Sequence, residues 1–148
     1  MHFKELGVYG LAVELRKEVF VASKAWPKAE RYALTDQARR ASRSVSANLG
    51  EAWAKRRYPR HFVSKLTDAL GEAEETGVWL DVALECGYLD QSQHDALSAT
   101  CRRIAAGLVK MARHPDPWCG PSTLVREDAA PYSDLNGTNG ADEHDGLP

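Results

Sequence analysis

Cysteine is scarce in this 148-residue chain: Cys86, Cys101 and Cys119 are an odd set of three with no CxxC pair. That pattern excludes a disulfide framework and a Cys-based zinc cage, and the thiols are expected to be reduced. Long apolar runs are missing too. Nothing approaches the roughly 18 residues a membrane helix needs, and the opening Met1-His2-Phe3-Lys4-Glu5 has no apolar stretch of the kind a signal peptide carries. A soluble, cytoplasmic protein without membrane contact is expected. Catalytic patterns are equally sparse. His2, His61, His94, His114 and His144 are scattered, and no HExxH and no Gly-rich phosphate loop occurs. A di-iron bundle needs Glu-x-x-His on two helices, but Glu72, Glu74 and Glu75 have no histidine three residues on. No catalytic residue, metal or cofactor is therefore expected, and Cys86 and Cys101 read as apolar packing rather than nucleophiles.

The net charge of −2 conceals a division of the chain. Residues 114–148 hold seven acids and one base, which leaves 18 bases and 14 acids in residues 1–113. A basic body thus carries an acidic tail. The tail also holds five of the seven prolines and the polar run Asn136-Gly137-Thr138-Asn139-Gly140. It lacks an apolar period, so residues 114–148 are expected to be disordered, with Trp118, Leu124, Val125 and Tyr132 as the residues able to dock.

In residues 1–113 the apolar positions recur at spacings of three and four, the signature of helix faces. A first helix is predicted from about Val8 to Ala25 on the seam Ala12, Leu15, Val19 and Ala22, stopped by Pro27. A second starts near Thr35, taken as its N-cap, with Leu34, Ala38, Ala41, Val45, Asn48 and Ala52 along one row. Asn48 there is either a hydrogen-bonded register-setting residue or a solvent-facing position of a slightly rotated seam. A third runs from Pro59 to Cys86 through Phe62, Leu66, Ala69, Ala73, Thr76, Leu80 and Ala83, with close helix contact or a bend expected at Gly71 and Gly77. Asp90 and Gln93 form a capping box for the fourth, whose seam is Leu97, Cys101, Ile104, Leu108 and Met111. Short links imply an all-α, antiparallel up-and-down four-helix bundle.

Glu30-Arg31-Tyr32-Ala33-Leu34-Thr35-Asp36-Gln37-Ala38-Arg39-Arg40-Ala41, followed by Ser44-Val45-Ser46-Ala47-Asn48-Leu49-Gly50-Glu51, resembles the 23S rRNA intervening-sequence (S23) family. Trp26-Pro27-Lys28, Ala69-Leu70-Gly71 and Gly87-Tyr88-Leu89 extend the likeness, which covers about Leu6 to Arg113. The resemblance implies a four-helix bundle assembling as a barrel-like homopentamer. It also implies kinship with the accessory proteins (Avd) of diversity-generating retroelements, which bind nucleic acid and associate with a reverse transcriptase. Gly50, Ala52 and Ala54 depart from the family pattern and are expected to lengthen the second helix, and the acidic tail lies outside that pattern.

Between Arg39 and Lys65 stand eight bases (Arg39, Arg40, Arg43, Lys55, Arg56, Arg57, Arg60 and Lys65) and one acid, Glu51. Several cations on one surface are what phosphate binding requires, and arginine, six of these eight, suits bidentate contact with phosphate oxygens. Trp53, Tyr58 and His61 lie among them as candidate stacking platforms for unpaired bases. The competing readings are a solvated face and pairing between subunits, since Glu72, Glu74, Glu75, Asp81 and Glu85 make the third helix acidic further on. Lys55, Arg56, Arg57 and Arg60 are the better candidates for an RNA or DNA ligand; Arg39, Arg40 and Arg43 fall in the family-like stretch and have a structural alternative. Glu30-Arg31-Tyr32 reads as a loop brace, and Asn48 with Glu51 as a polar pocket within the bundle or between subunits. Trp26, Trp53 and Trp79 read as gap-filling residues. The expected function is a non-enzymatic, nucleic-acid-binding accessory protein, with a protein-interaction scaffold as the alternative.

Overall fold

The computed structural model describes residues 1–120, and its regular elements are all helical over that range. A 3-10 turn at Phe3–Glu5 leads into α1 (Gly7–Ser23), α2 (Asp36–Ala54), α3 (Pro59–Glu85), α4 (Gln91–Arg113) and the single-turn α5 (Asp116–Cys119). α1 packs on α2, α2 on α3, α3 on α4, and α4 closes back on α1. With links of only Lys55–Tyr58 and Cys86–Asp90, successive helices run antiparallel, giving an up-and-down four-helix bundle. No helix among the described residues is long and apolar enough to cross a membrane.

Three predicted seams face inward. Ala12, Leu15 and Val19 of α1 are buried, as are the seven predicted positions of α3 and the five of α4, though Ala22 is only half-buried. Buried hydroxyls on these faces bond to their own helix: Thr76 donates to the Glu72 carbonyl at 2.8 Å and Thr100 to that of Ala96 at 3.3 Å. In and just before α2, Leu34, Ala38, Ala41, Val45 and Ala52 are buried as predicted, and the seam departs at Asn48. Leu49, not Asn48, lies in the core beside Val45 and Ala52, and the half-buried Asn48 donates to the Ser44 carbonyl at 2.9 Å. Glu51 bonds Lys65 of α3 instead of Asn48, so the two do not form a polar pocket within the bundle.

The α1–α2 link also departs from the sequence reading. A 3-10 turn at Lys28–Glu30 runs into a π turn at Arg31–Thr35 and directly into α2. Thr35 has helical dihedrals and makes no side-chain cap bond, because the chain is already helical before it and no helix start lies there: the Asp36 amide bonds the Arg31 carbonyl. Arg31 stacks over Tyr32 at 5.6 Å, supplying the aromatic half of the expected brace. At the α3–α4 link, Gly87 adopts φ +77°, a conformation suited to glycine, and the Asp90–Gln93 capping box forms.

Gly71 and Gly77 are not points of close helix contact: a Cβ at either would meet nothing within 4 Å. The close approach is at Gly107, where a Cβ would lie 3.3 Å from Val8 Cγ2 and α1 nears α4. α2 runs unbroken through Gly50 and Ala52 to Ala54. Residues 114–120, placed in the disordered tail by composition, continue the fold. α5 returns to the bundle because Trp118 finds an aromatic surface on Trp53, ring centroids 6.3 Å apart. The rest of the expected disordered tail, with Leu124, Val125 and Tyr132, lies outside the described residues.

Candidate nucleic-acid interface

The helices separate cations that the linear sequence groups together. Arg39 and Arg40 are adjacent in sequence, but one residue turns an α-helix by about 100°, so they leave α2 on different sides. Arg40 turns to α3, where its guanidinium bonds Glu72 at 3.4 Å and also Glu75. The Glu75 bond holds the guanidinium pKa above its ordinary value, while burial raises that of Glu72. Lys65 is likewise committed, 2.7 Å from Glu51 and 3.5 Å from Asp68. The Lys65 hydrogen bond lowers the Glu51 pKa. Arg40 and Lys65 therefore serve the α2–α3 packing, which is the structural reading of the basic run.

Lys55, Arg56, Arg57 and Arg60 cluster where α2 ends and α3 begins. The Lys55 amide closes α2 on the Ala52 carbonyl at 3.0 Å, and both Lys55 and Arg57 are exposed. Arg56 lies 4.6 Å over the Trp53 ring and donates to the Trp53 carbonyl at 3.0 Å. Among the described residues no carboxylate sits at ion-pair distance from Lys55, Arg56 or Arg57. Trp53 is not a free stacking platform. It is 8% exposed and packs against Trp118, as a gap-filling residue does. Tyr58 is half-buried with its ring 5.7 Å from that of the exposed His61, so His61 is the more open of the two.

Arg39 and Arg43 face the other way, toward α1, and meet residues that sequence reasoning missed. Phe20 of α1 is 36% exposed and is the centre of this face. Arg39 lies 4.7 Å, Lys24 4.8 Å and Arg43 5.7 Å from its ring centroid. Arg39 Nε donates to Ser23 Oγ and Arg16 donates to Ser46 Oγ, both at 2.8 Å. Lys17 lines the same depression as Arg16, Phe20 and Arg43. No carboxylate among the described residues bonds Arg16, Lys17, Lys24, Arg39 or Arg43. The available signal was positional: residues 16, 17, 20, 23 and 24 share one stripe of α1 at spacings of three and four. Among the described residues no cluster of His, Cys, Asp and Glu could hold a metal ion.

An up-and-down four-helix bundle with Arg16, Arg39, Arg43 and Arg56 held by rings and hydroxyls defines a helical protein with cationic surfaces. The chain belongs to the 23S rRNA-intervening sequence protein family, whose sequence profile matches residues 4–110. A crystal structure of a protein with unknown function from the S23 ribosomal protein family of Bacteroides thetaiotaomicron has the same fold. Its TM-score is 0.65 at 23% identity, covering 72% of this chain and 95% of that one. No curated protein matches this chain.

Proposed function

We propose that this protein is a non-enzymatic, oligomeric nucleic-acid-binding accessory protein of the cytoplasm, contacting RNA or DNA phosphates through Lys55, Arg56, Arg57 and Arg60. One observation carries the reading: at this corner the chain gathers cations while Glu51, the one acid between Arg39 and Lys65, is engaged with Lys65. Fixed cations release counterions from a nucleic acid, so affinity tolerates sequence and falls with salt. The family description, which refers to an intervening sequence of 23S rRNA, fits an RNA setting. The resemblance to Avd proteins supports a homopentamer and a reverse transcriptase as partner enzyme.

The test is fluorescence anisotropy with labelled single-stranded RNA, duplex RNA and DNA over a salt series. Native protein is compared with a variant carrying Lys55→Ala, Arg56→Ala, Arg57→Ala and Arg60→Ala, of verified helicity and mass. Binding that weakens with salt and is lost in the variant supports the reading. Absence of binding by native protein at low salt favours the second reading, a protein-interaction scaffold, for which the exposed acids Glu74, Asp81 and Glu85 beside the exposed Val78 are the motive. Light scattering tests assembly: a monomer mass at micromolar concentration contradicts the pentamer.

A further inference from the structure

We propose that the groove between α1 and α2 is a phosphodiester-binding surface built from Arg16, Lys17, Lys24, Arg39 and Arg43, with Phe20 as its positioning residue. The inference deepens the nucleic-acid reading and rests on it, but it concerns a different face of the bundle. Arg43 and Lys55 are 12 residues apart on α2, about 18 Å along the axis at 1.5 Å per residue.

What distinguishes this face is the chemistry that holds its cations. Arginines that serve packing meet carboxylates, as Arg40 meets Glu72 and Glu75. In the α1–α2 groove the holding groups are neutral. The Phe20 ring faces three cations at 4.7 to 5.7 Å, and the Ser23 and Ser46 hydroxyls accept from Arg39 and Arg16 at 2.8 Å. A ring quadrupole and hydroxyl dipoles fix the direction of a guanidinium without cancelling its charge. The cations repel one another, and a polyanion laid along the groove relieves that repulsion while releasing its counterions. Arginine presents several N–H donors, so Arg39 and Arg16 retain others for phosphate oxygens after bonding a serine. Two depressions share Arg43, one between α1 and α2 along Arg16, Lys17 and Phe20 and one on the outer face of α2 along Asp36, Arg39, Arg40 and Ala47, so the surface continues from the groove onto α2. A chain of phosphates, rather than a single anion, matches that continuity. Phe20 acts through its neighbours, since its ring faces the three cations it positions.

The experiment uses the full-length protein, with labelled single-stranded RNA and DNA as probes and affinity measured across a salt series. Arg39→Gln combined with Arg43→Gln is expected to weaken binding about tenfold at low salt. It should also flatten the plot of log affinity against log salt by about 1.4, at about 0.7 for each single-strand phosphate that is no longer neutralised. Phe20→Leu keeps every charge, so it should weaken binding while leaving that slope unchanged, a result that removal of charge would not give. Lys17→Gln combined with Lys24→Gln provides the same slope test with two exposed side chains, should the arginine pair lower helicity. A groove variant that binds like native protein, while the Lys55, Arg56, Arg57 and Arg60 variant does not bind, overturns the groove and leaves the nucleic-acid reading standing. No binding by native protein overturns both. A groove variant with a smaller mass by light scattering than native protein overturns the proposal in favour of a contact between copies of the chain.

Discussion

Replacing Gly71 with alanine is expected to stabilise the protein. Gly71 lies inside the 27-residue α3 on its exposed side, and a Cβ there meets nothing within 4 Å. Glycine loses more backbone freedom than alanine on folding, a difference of about 0.8–1 kcal/mol in a helix interior. For a domain of this size that corresponds to a rise of about 4 °C in Tm. Gly77→Ala has the same basis, and Gly50→Ala should also gain, because its Cβ would lie 3.7 Å from the Phe3 ring, an ordinary van der Waals distance. Gly107 is the internal control. Its Cβ would press on Val8 Cγ2 at 3.3 Å, so displacement of Val8 offsets the helical gain and Gly107→Ala should melt at or below native protein. The assay is thermal unfolding by circular dichroism over a dilution series, because the proposed oligomer would make Tm depend on concentration. If Gly71→Ala melts below native protein at every concentration, this surface of α3 does not have room for a side chain and the expectation fails.

Three further outcomes test other parts of the structure. Asp90→Ala removes the carboxylate that accepts from the Gln93 amide at 2.7 Å, and should cost about 1 kcal/mol in chemical unfolding, whereas Asp90→Asn should cost much less; equal losses would contradict the cap. Burial pushes the Cys101 thiol up to about 12, while Cys86 is exposed. Iodoacetamide at neutral pH followed by mass spectrometry should therefore label Cys86 and spare Cys101 until the protein unfolds, and equal labelling rates would contradict that burial. The Lys65 hydrogen bond depresses the Glu51 carboxyl pKa, so its contribution to stability is present above the unfolded pKa and is lost as pH falls through the folded one. Lys65→Met should return Glu51 to the ordinary carboxylate range in an NMR titration; an unchanged titration would contradict the pairing.

The sequence made helices legible where large apolar side chains repeated on one face. Leu15 with Val19, Phe62 with Leu66, and Ile104 with Leu108 leave little freedom in how α1, α3 and α4 roll, and all six are buried. α2 was less determined. Its row consists mostly of alanines, small side chains that constrain the roll of the helix weakly, so Asn48 and its neighbour Leu49 were both candidates for the core. The π turn before it was invisible because Thr35 is an equally good cap residue on paper, and only the helical turn ahead of it leaves no helix start there to cap. Composition placed Trp118 in the tail, although its dockable ring was recognisable and its partner, Trp53, lies far away in sequence. For the candidate site, counting charge along the chain found the corner at Lys55 to Arg60. It could not separate Arg40, held by Glu72, from Arg39, held by Ser23, because the distinction depends on which helix lies on each side of α2. The Phe20 face needed α1 and α2 to be placed side by side.

Whether these cations are held for a polyanion is decided most simply by the salt dependence of single-stranded RNA binding to native protein. The affinity should fall linearly on a log–log plot with a slope of about −3, corresponding to about four neutralised phosphates at about 0.7 each. No binding at low salt, or an affinity that does not change with salt, would contradict it.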